Sequence, residues 1–356
     1  MAVKFTKPEI NIAEKVAELD KPSGIAGEAM LRADTPQEQF NLIGAGRRNL
    51  LINGDFQVSQ RGDYTTASNA TNAYFLDRWK VDLNGTATVQ HTTGHDISGA
   101  PAICKAIKLV QTVTGNNYLG VRQKIEHPEQ YIGRTVTYSA WVRSNTPNAR
   151  IEFYIPGSTT HTYIGPNHSG SGEWEYLSFT TTIKSSGATT TAWFVDVFID
   201  SGAYGNTTIT AGEYIETTML QMEIGKVATP FEHRSYGEEL ALCKRYYQQY
   251  GFEAGAPFRI VGSGNGGSYM LTGFQYEQQM RAAPSINYFG TGVDGGNFNV
   301  YVHNTTQGNT APASTAVGTR SVRWNFFGNG SYPNGAYWID VGPGSNQLAF
   351  TLDAEL

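Results

Sequence analysis

Two carboxylates in a strand-like stretch are the first side chains of this sequence that suggest chemistry. Asp196 and Asp200 lie in the run FVDVFID, where alternating apolar and polar residues predict a β-strand with both acids on one face. Hydrolysis of a glycosidic bond needs two carboxyl groups about 5–9.5 Å apart. These two positions are separated by about 13 Å along a strand, which is too far. Convergence of carboxylates from different strands is an alternative that the sequence leaves open.

Other motifs that suggest a reactive or binding site each lack a required partner. His91 and His95, with Asp96 beside them, favour a polar turn over a metal site, because the intervening glycine sets no fixed distance between the two rings. The glycine-rich run at 262–267 has no following helix to supply amide donors to a phosphate. No Gly-x-Ser-x-Gly sequence marks a hydrolase nucleophile. The sequence therefore predicts a protein that is not an enzyme.

Aromatic rings are abundant, and those on predicted loops are the candidate ligand contacts. Sugars are bound by rings stacked on their C–H faces, with polar side chains that contact the hydroxyl groups. Tyr163, Tyr204 and Tyr332 are the best candidates, because each lies in a predicted loop. Loop tyrosines also form subunit contacts, and that alternative stays open. Trp141 and Trp193 lie within long alternating runs and are predicted to pack in the core.

The composition predicts sheets joined by tight turns. Of 356 residues, 40 are glycine, 12% are aromatic and only 16% are charged, against about 25% charged residues in an average domain. A chain of this length is expected to form two or three domains. The two cysteines, Cys104 and Cys243, have no metal-type spacing and are predicted to be free buried thiols in a reducing compartment.

The charge pattern excludes two classes of partner. The formal net charge is −5 and no basic stripe is present, so nucleic-acid binding is not expected. No apolar run approaches the roughly 20 residues that span a bilayer, and the first residues lack the apolar core of a signal peptide. We therefore expect neither membrane insertion nor secretion by a signal peptide.

Residues 1–48 differ from the rest and are predicted to form short helices. Two capping boxes, at 6–9 and 35–38, each place a threonine three residues before a glutamate, with a proline in the first turn. The few apolar side chains on these helices cannot bury enough surface to fold alone. We interpret the segment as an anchor that docks on another protein, with an unstructured terminus as the alternative. The residues predicted to make this contact are Ile12, Val16, Leu19, Phe40 and Ile43.

The remaining chain is predicted to be mainly β. Strand-like segments at roughly ten-residue spacing indicate a β-sandwich over residues 49–236. A third capping box, formed by Ser235 and Glu238, predicts a short linking helix to about residue 249. A smaller β-domain, joined by glycine-rich connectors, completes the C-terminal region at 237–356. No repeat of fixed period is visible, so a solenoid or propeller is not expected.

Several segments also carry a resemblance. They are NLLINGDF at 49–56, Asp77-Arg78-Trp79, YSAWVR at 138–143, LQMEIGKVATPFE at 220–232, EELALCKRYY at 238–247 and MRAAPSI at 280–286. The first four resemble the carbohydrate-binding-module-type jelly roll of bacteriophage fibres and other virion proteins. The last two resemble the C-terminal region of such fibres, and residues 4–48 resemble the leading segment of structural proteins of marine phages, cyanophages included.

The resemblance implies a function, partners and a metal site. It implies a virion structural protein of tail-fibre type, assembled in the host cytoplasm, that attaches to other virion proteins through residues 1–48. A homotrimer and binding to host-surface polysaccharide are further implications, with the C-terminal β-domain, which is farthest from the anchor, expected to face the receptor. Jelly rolls of this type often hold a structural Ca²⁺, for which Asn53 or Asp55 with Glu223 would be the ligands. The alternatives are a capsid-mounted head fibre or decoration protein and, from another class, a glycan depolymerase.

Overall fold

The structure of the chain is a computed structural model. It describes residues 48–62, 64–93, 95, 97, 105–156, 159–184, 193–199, 207–251, 259–264, 266–288, 298–302, 305–310, 312–332, 335–340 and 348–355. The described part of the chain is mainly β, as predicted. The predicted anchor lies outside it, with Ile12, Val16, Leu19, Phe40 and Ile43. Also outside the described residues are Asp96, Cys104, Asp200 and Tyr204.

Thirteen strands between residues 68 and 224 form two antiparallel sheets. They are β1 (Ser68–Asn69), β2 (Tyr74–Leu76), β3 (Trp79–Asn84), β4 (Ala87–Thr93), β5 (Lys105–Gln111), β6 (Gly115–Ile125), β7 (Thr135–Ser144), β8 (Ala149–Ile155), β9 (His161–Asn167), β10 (Trp174–Thr182), β11 (Trp193–Ile199), β12 (Thr207–Ile209) and β13 (Tyr214–Ile224). Sheet A has the order β1-β4-β5-β13-β7-β10. Sheet B has the order β2-β3-β6-β11-β8-β9, and β12 pairs with β6. A 3-10 turn, Pro128–Tyr131, lies between β6 and β7.

Eight of these strands, β5 to β11 and β13, have jelly-roll connectivity. Numbered 1–8 in chain order, they follow the order 1-8-3-6 in sheet A and 2-7-4-5 in sheet B. This interleaving is the strand order of a jelly roll. The inward side chains of both sheets share one core, which includes Trp79, Leu109, Tyr138, Phe153 and Val197.

Alternation along β7 decides which side chains enter that core. Val136, Tyr138, Ala140 and Val142 point inward, so the odd-numbered residues of the strand lie on the outer face. Trp141 is therefore on the outer face. It packs there against a small second core cluster of buried residues, which is separate from the main core. The side chain of Trp193 lies outside what the structure describes.

The opening segment, residues 49–56, joins the sandwich without forming the regular strand predicted at its start. The Asn49 side chain donates to the carbonyl of Leu220 on β13, at 3.0 Å. Asn53 adopts a left-handed φ of 59°, which asparagine tolerates better than most residues. A Cβ on Gly54 would lie 2.2 Å from the Leu220 carbonyl. The Asn-Gly pair therefore lets this segment turn tightly against β13.

The linking helix α1 (Tyr236–Lys244) begins as predicted and ends earlier. The Ser235 side chain accepts from the Glu238 amide, and the Glu238 carboxylate accepts from the Ser235 amide at 3.0 Å, which completes the capping box. Cys243 is a free buried thiol, as predicted. The helix does not continue to residue 249, because Tyr247 begins a strand that pairs with the C-terminal strand. Pairing between distant residues has overridden the helical pattern.

Ten further strands follow α1. They are β14 (Tyr247–Gly251), β15 (Arg259–Gly264), β16 (Gly267–Gln275), β17 (Ser285–Tyr288), β18 (Phe298–Val302), β19 (Thr305–Thr310), β20 (Pro312–Val317), β21 (Ser321–Tyr332), β22 (Gly335–Asp340) and β23 (Leu348–Asp353). Sheet C has the order β14-β23-β17, and sheet D has the order β19-β18-β22-β15-β16-β21-β20. Among the described residues, no helix has the length and apolar character to cross a bilayer.

Ion pairs tie the last described residues to the sandwich. Arg78, which is 1% exposed, pairs with Glu355, and its guanidinium carbon lies 3.6 Å from the centre of the Tyr246 ring. Arg61 pairs with Asp353 at 3.2 Å in a partly exposed position. Removing Glu355 would leave the charge of Arg78 unpaired in a buried place, so these contacts fix sheet C against the sandwich. The predicted domain boundaries, 1–48, 49–236 and 237–356, stay predictions.

Candidate functional site

The outer face of sheet B carries an unusual grid of charged and aromatic side chains. Strand register sets it out in three rows that run across β3, β6, β11, β8 and β9. We call the first the lysine row, which consists of Lys124, Phe194, Tyr154 and Thr162. The second is the arginine row, which consists of Lys80, Arg122, Asp196, Glu152 and Ile164. The third is the glycine row, which consists of Asp82, Gly120, Phe198, Arg150 and Asn167.

Arg122 is the centre of this grid and is bound by two carboxylates. Its Nε and Nη2 donate to Asp196 at 2.8 and 3.0 Å, and its Nη1 pairs with Asp82. The bidentate geometry is the strong form of the arginine–carboxylate contact. The guanidinium carbon also lies 4.4 Å from the centre of the Phe194 ring and 5.3 Å from that of Phe198. Arg122 is therefore held by ion pairs and ring contacts together.

The grid also has two layers. The lower layer, which consists of Asp196, Glu152 and Arg150, is buried although it lies outside the sandwich core. Asp196 is 0% exposed, and Glu152 and Arg150 are also buried. Burial raises the pKa of Asp196 to about 7, although the ion pair with Arg122 opposes that rise. Arg150 donates to Glu152 at 2.9 Å. A buried acid with a raised pKa beside a specific charge partner is a pattern found at functional sites and in structural ion-pair networks.

A glycine makes room for one of the rings. A Cβ on Gly120 would lie 2.3 Å from Cδ1 of Phe198 and 2.2 Å from the carbonyl of Val197. The Phe198 ring therefore lies directly over the Gly120 backbone, where no other residue type would fit. Tyr118 packs edge-on against Phe198, with 6.1 Å between ring centres.

The upper layer, which consists of the lysine row and Ile164, is accessible to solvent. Lys124, Phe194 and Tyr154 are half-buried, Thr162 is exposed and Ile164 is 50% exposed. The rings of Phe194 and Tyr154 lie 5.8 Å apart, and Lys124 Nζ is 5.6 Å from the Phe194 ring centre. The lysine row crosses three strand spacings, or about 14 Å. It therefore offers a ligand two neighbouring rings with a cation at one end and a hydroxyl group at the other.

The outer face of sheet A is built differently. Hydroxyl side chains on β7 and β10 bond directly across the strands, with Thr137 Oγ1 2.8 Å from Thr180 Oγ1. Beyond them Trp141 pairs across the strands with Tyr176, which is 43% exposed, at 5.5 Å between ring centres. Trp174, which precedes Tyr176 by two residues on β10, lies on the same face. This part of the face is a row of neutral hydroxyl groups that ends in three rings.

A buried acid also lies on this face. Glu216 is 2% exposed and accepts from Thr92 Oγ1 at 2.6 Å. His95 lies 3.6 Å from Glu216 and packs edge-on against Trp174. The pair between Arg143 and Glu216 is loose, at 3.9 Å. Among the described residues, no group of three or more His, Cys, Asp and Glu side chains could hold a metal ion.

The tyrosines predicted as ligand contacts do not come together in the described structure. Tyr163 lies on strand β9 rather than on a loop; it stacks on Phe153 of the core, and its hydroxyl oxygen accepts from the Lys184 amide at 2.8 Å. Tyr332 is the last residue of strand β21 rather than a loop residue. Tyr204 lies outside the described residues. The loop placements of Tyr163 and Tyr332 were wrong, because the polar residues around them alternate along strands.

The predicted calcium ligands already have hydrogen-bond partners. The Asn53 amide group donates to the carbonyls of Val58 and Asp77, and its oxygen accepts from the Val58 amide. Glu223 accepts from the amide and the hydroxyl of Thr229, at 2.8 and 2.7 Å.

Asp55, the third candidate ligand, is largely surrounded by protein. Burial raises the pKa of its carboxyl group, and the side-chain amide of Gln57 donates to it at 3.4 Å. The three oxygens thus serve local hydrogen bonds in the described structure, and the calcium site stays a prediction.

Apart from Asp196, sequence reasoning missed the residues that form the grid. The missed signal is an aromatic residue on the polar side of an alternating strand, as Phe194 and Phe198 are on either side of Asp196. The run 118–125 gives a related signal, since the charged residues Arg122 and Lys124 alternate with core residues such as Val121. Neither pattern shows from sequence which strands are neighbours.

Comparison with known proteins supplies no family. No family model matches the chain, and no curated protein matches it. The enzymatically active domain of tailspike protein 4 from bacteriophage CBA120 aligns with 50% of this chain and 21% of its own, at 14% identity and a TM-score of 0.33. The CBM22-2 xylan-binding domain from Paenibacillus barcinonensis aligns with 42% of this chain and 92% of its own, at 12% identity and a TM-score of 0.30.

A cyclase from Fischerella sp. TAU is similar to the same degree. It aligns with 52% of this chain and 100% of its own, at 11% identity and a TM-score of 0.34. The chain thus spans about a fifth of the tailspike domain's length. At TM-scores this low, none of the three likenesses transfers a function to this protein.

Proposed function

We propose that the protein is a virion structural protein of tail-fibre type that binds host-surface polysaccharide without cleaving it. In this proposal residues 1–48 attach it to other virion proteins, and its β-domains bind the glycan. Assembly as a homotrimer would cover the terminal strands of the two sheets, such as β9 and β10.

The lysine row is the observation that carries glycan binding. Phe194 and Tyr154 are rings of a rigid sheet, and each is accessible enough to take the C–H face of a sugar. Lys124 and Thr162 flank them and can contact hydroxyl groups. Rings and hydrogen-bonding groups on a fixed platform are what a sugar site needs.

The acids beside this row do not support hydrolysis. Asp82 and Asp196 both pair with Arg122, and both are buried, at 7% and 0% exposure. A glycosidase acid must give a proton to the glycosidic oxygen, and its partner must face the sugar ring or a water. These two carboxylates face a guanidinium instead, so we propose that they position Arg122 and the rings around it.

A matched pair of variants tests the glycan site. Phe194→Ala removes a ring of the lysine row and Tyr176→Ala removes an exposed ring of sheet A. Burying a phenylalanine side chain is worth about 1.5–3 kcal/mol, so we expect Phe194→Ala to weaken binding roughly 10- to 100-fold. Tyr176→Ala should leave it unchanged. Binding is measured on an array of bacterial surface polysaccharides, with circular dichroism as the check of folding. If the wild-type protein bound no polysaccharide, the proposal would be abandoned.

Attachment to the particle needs a separate experiment. The full chain and a chain lacking residues 1–48 are produced in infected host cells, and purified particles are assayed for each by mass spectrometry. We expect the full chain in particles and the shortened chain in the cell lysate only. Equal incorporation of both would contradict the anchor, and absence of the full chain from particles would contradict the virion assignment.

A further inference from the structure

One edge of the sheet B grid carries cations without carboxylate partners. Lys80 and Lys124 lie on β3 and β6 at the edge of the grid, and Arg281 approaches from the chain that follows α1. Arg281 donates to the carbonyls of Ala354 and Glu355, at 3.0 and 3.4 Å, which neutralise none of its charge. Within the described part of the chain, neither lysine has an acidic oxygen at ion-pair distance. This edge is therefore positive, although the protein as a whole is negative.

The neighbouring arginines add no excess positive charge to this edge, because each is paired with acids. Arg122 is shared by Asp196 and Asp82, and Arg78 is paired with Glu355. The positive charge that an approaching ligand meets at this edge is therefore that of the two lysines and Arg281. Chance clusters of exposed lysines are common on surfaces. Here, however, Lys124 is half-buried beside a ring, which removes part of its hydration.

The titration of Lys124 agrees with this geometry. Burial lowers the pKa of its ammonium group, and the positive charges of Lys80, Arg122 and Arg281 lower it further. Like charges held together in a partly dry place cost free energy, which an anion bound between them would recover. This free-energy cost arises at Lys124, at the end of the lysine row.

We infer that the glycan bound by the lysine row is acidic, with a carboxylate or sulfate group of the sugar held between Lys124 and Lys80. The sugar ring of that residue stacks on Phe194, whose ring centre lies 5.6 Å from Lys124 Nζ. Arg281 adds a third positive charge close enough to lower the pKa of Lys124. This inference rests on the proposed glycan site and specifies the class of sugar.

Matched pairs of polymers test the inference. Polygalacturonate, alginate and hyaluronan are each compared with their carboxyl-reduced forms, and dextran sulfate is compared with dextran, by isothermal titration calorimetry on the full chain. Charged hydrogen bonds are stronger than neutral ones, so we expect at least one acidic polymer to bind about tenfold more tightly than its neutral partner. The uronate pairs and the sulfate pair distinguish which anion is preferred.

Variants assign the preference to the site. In Lys124→Gln the ratio of affinities for the two members of the preferred pair should fall to about one, whereas Lys124→Arg should keep the preference. Lys108→Gln on the outer face of sheet A is the control, because Lys108 is a half-buried strand lysine next to the Tyr214 ring, 4.4 Å from its centre. It should behave as wild type.

Each remaining outcome has a distinct meaning. Equal binding of acidic and neutral partners would overturn this inference and leave the proposed glycan site standing. No binding of any polymer would overturn both. Polyglutamate serves as an anion without sugar rings, and binding to it as tight as to the best acidic polysaccharide would show attraction by charge alone, which would also overturn the inference.

Discussion

The two outer faces of the sandwich cover the sheet backbone with different kinds of side chain. The face of sheet A covers its backbone with neutral hydroxyl groups, such as Thr137 and Thr180, and then with rings. The face of sheet B buries charges, with Asp196 completely inaccessible and bound twice by Arg122. Neutral hydrogen bonds tolerate the loss of a partner at modest cost, whereas buried charges do not. A single change is therefore expected to cost more stability at the Arg122 cluster of sheet B than along the hydroxyl groups of sheet A.

The difference also concerns what each face offers to a ligand. On sheet A, Glu216 is satisfied by Thr92 and faces His95. The charge that acts on the exposed ring of Tyr176 is the buried carboxylate of Glu223, which accepts hydrogen bonds from Thr229. On sheet B, the ion pairs lie in the buried lower layer. Lys124, which has no acidic partner among the described residues, lies beside the accessible ring of Phe194. A binding site is expected where exposed rings and uncompensated charge coincide.

The largest expected effect separates the two faces by stability. Arg122→Ala leaves Asp196 and Asp82 without their shared partner, and breaking a buried ion pair costs about 3–5 kcal/mol of unfolding free energy. Arg143→Ala is the control on sheet A, because Arg143 is 40% exposed and 3.9 Å from Glu216. It should cost less than about 1 kcal/mol. Urea unfolding of both variants measures the difference, and equal costs would remove the contrast between the faces.

A smaller effect is expected from filling the space under Phe198. Gly120→Ala forces a Cβ to within 2.3 Å of that ring, and overpacking of this kind costs about 1–3 kcal/mol. Gly273→Ala on β16 is the control, because its nearest atom would be the Val322 carbonyl at 4.0 Å. It should stabilise the protein by about 0.4–1 kcal/mol, since alanine restricts the unfolded chain. Thermal unfolding decides, and a stabilised Gly120→Ala would show that Phe198 does not lie over the glycine.

The smallest effect is a change of ligand preference with pH. Since burial and neighbouring cations lower the pKa of Lys124 from 10.5, its charge is present at neutral pH and is lost as pH rises through the lowered pKa. The preference for an acidic polymer should therefore begin to fall below pH 10.5. Lys124→Arg should keep its preference over the same range, because arginine stays protonated. A wild-type preference independent of pH would place the recognising cation elsewhere.

The elements could be predicted from sequence because their signals are local. The run at Thr135–Ser144 alternates cleanly and was predicted with its observed bounds, and the Ser235–Glu238 capping box formed as expected. Errors arose where distant residues decided. Tyr247 joined a strand because it pairs with Asp353, and Tyr163 lies on a strand because β8 pairs with β9.

The sequence by itself determined that the chain is mainly β, where most strands of the sandwich lie and that α1 begins after Ser235, because alternation and capping act over a few residues. Only the tertiary structure decided that Asp196 meets Arg122, 74 residues away in sequence, and that Lys124 lies beside Phe194. Which residues face each other across a sheet depends on strand order and register, and both are set by packing of the whole sandwich. The candidate site consists entirely of such cross-strand neighbours.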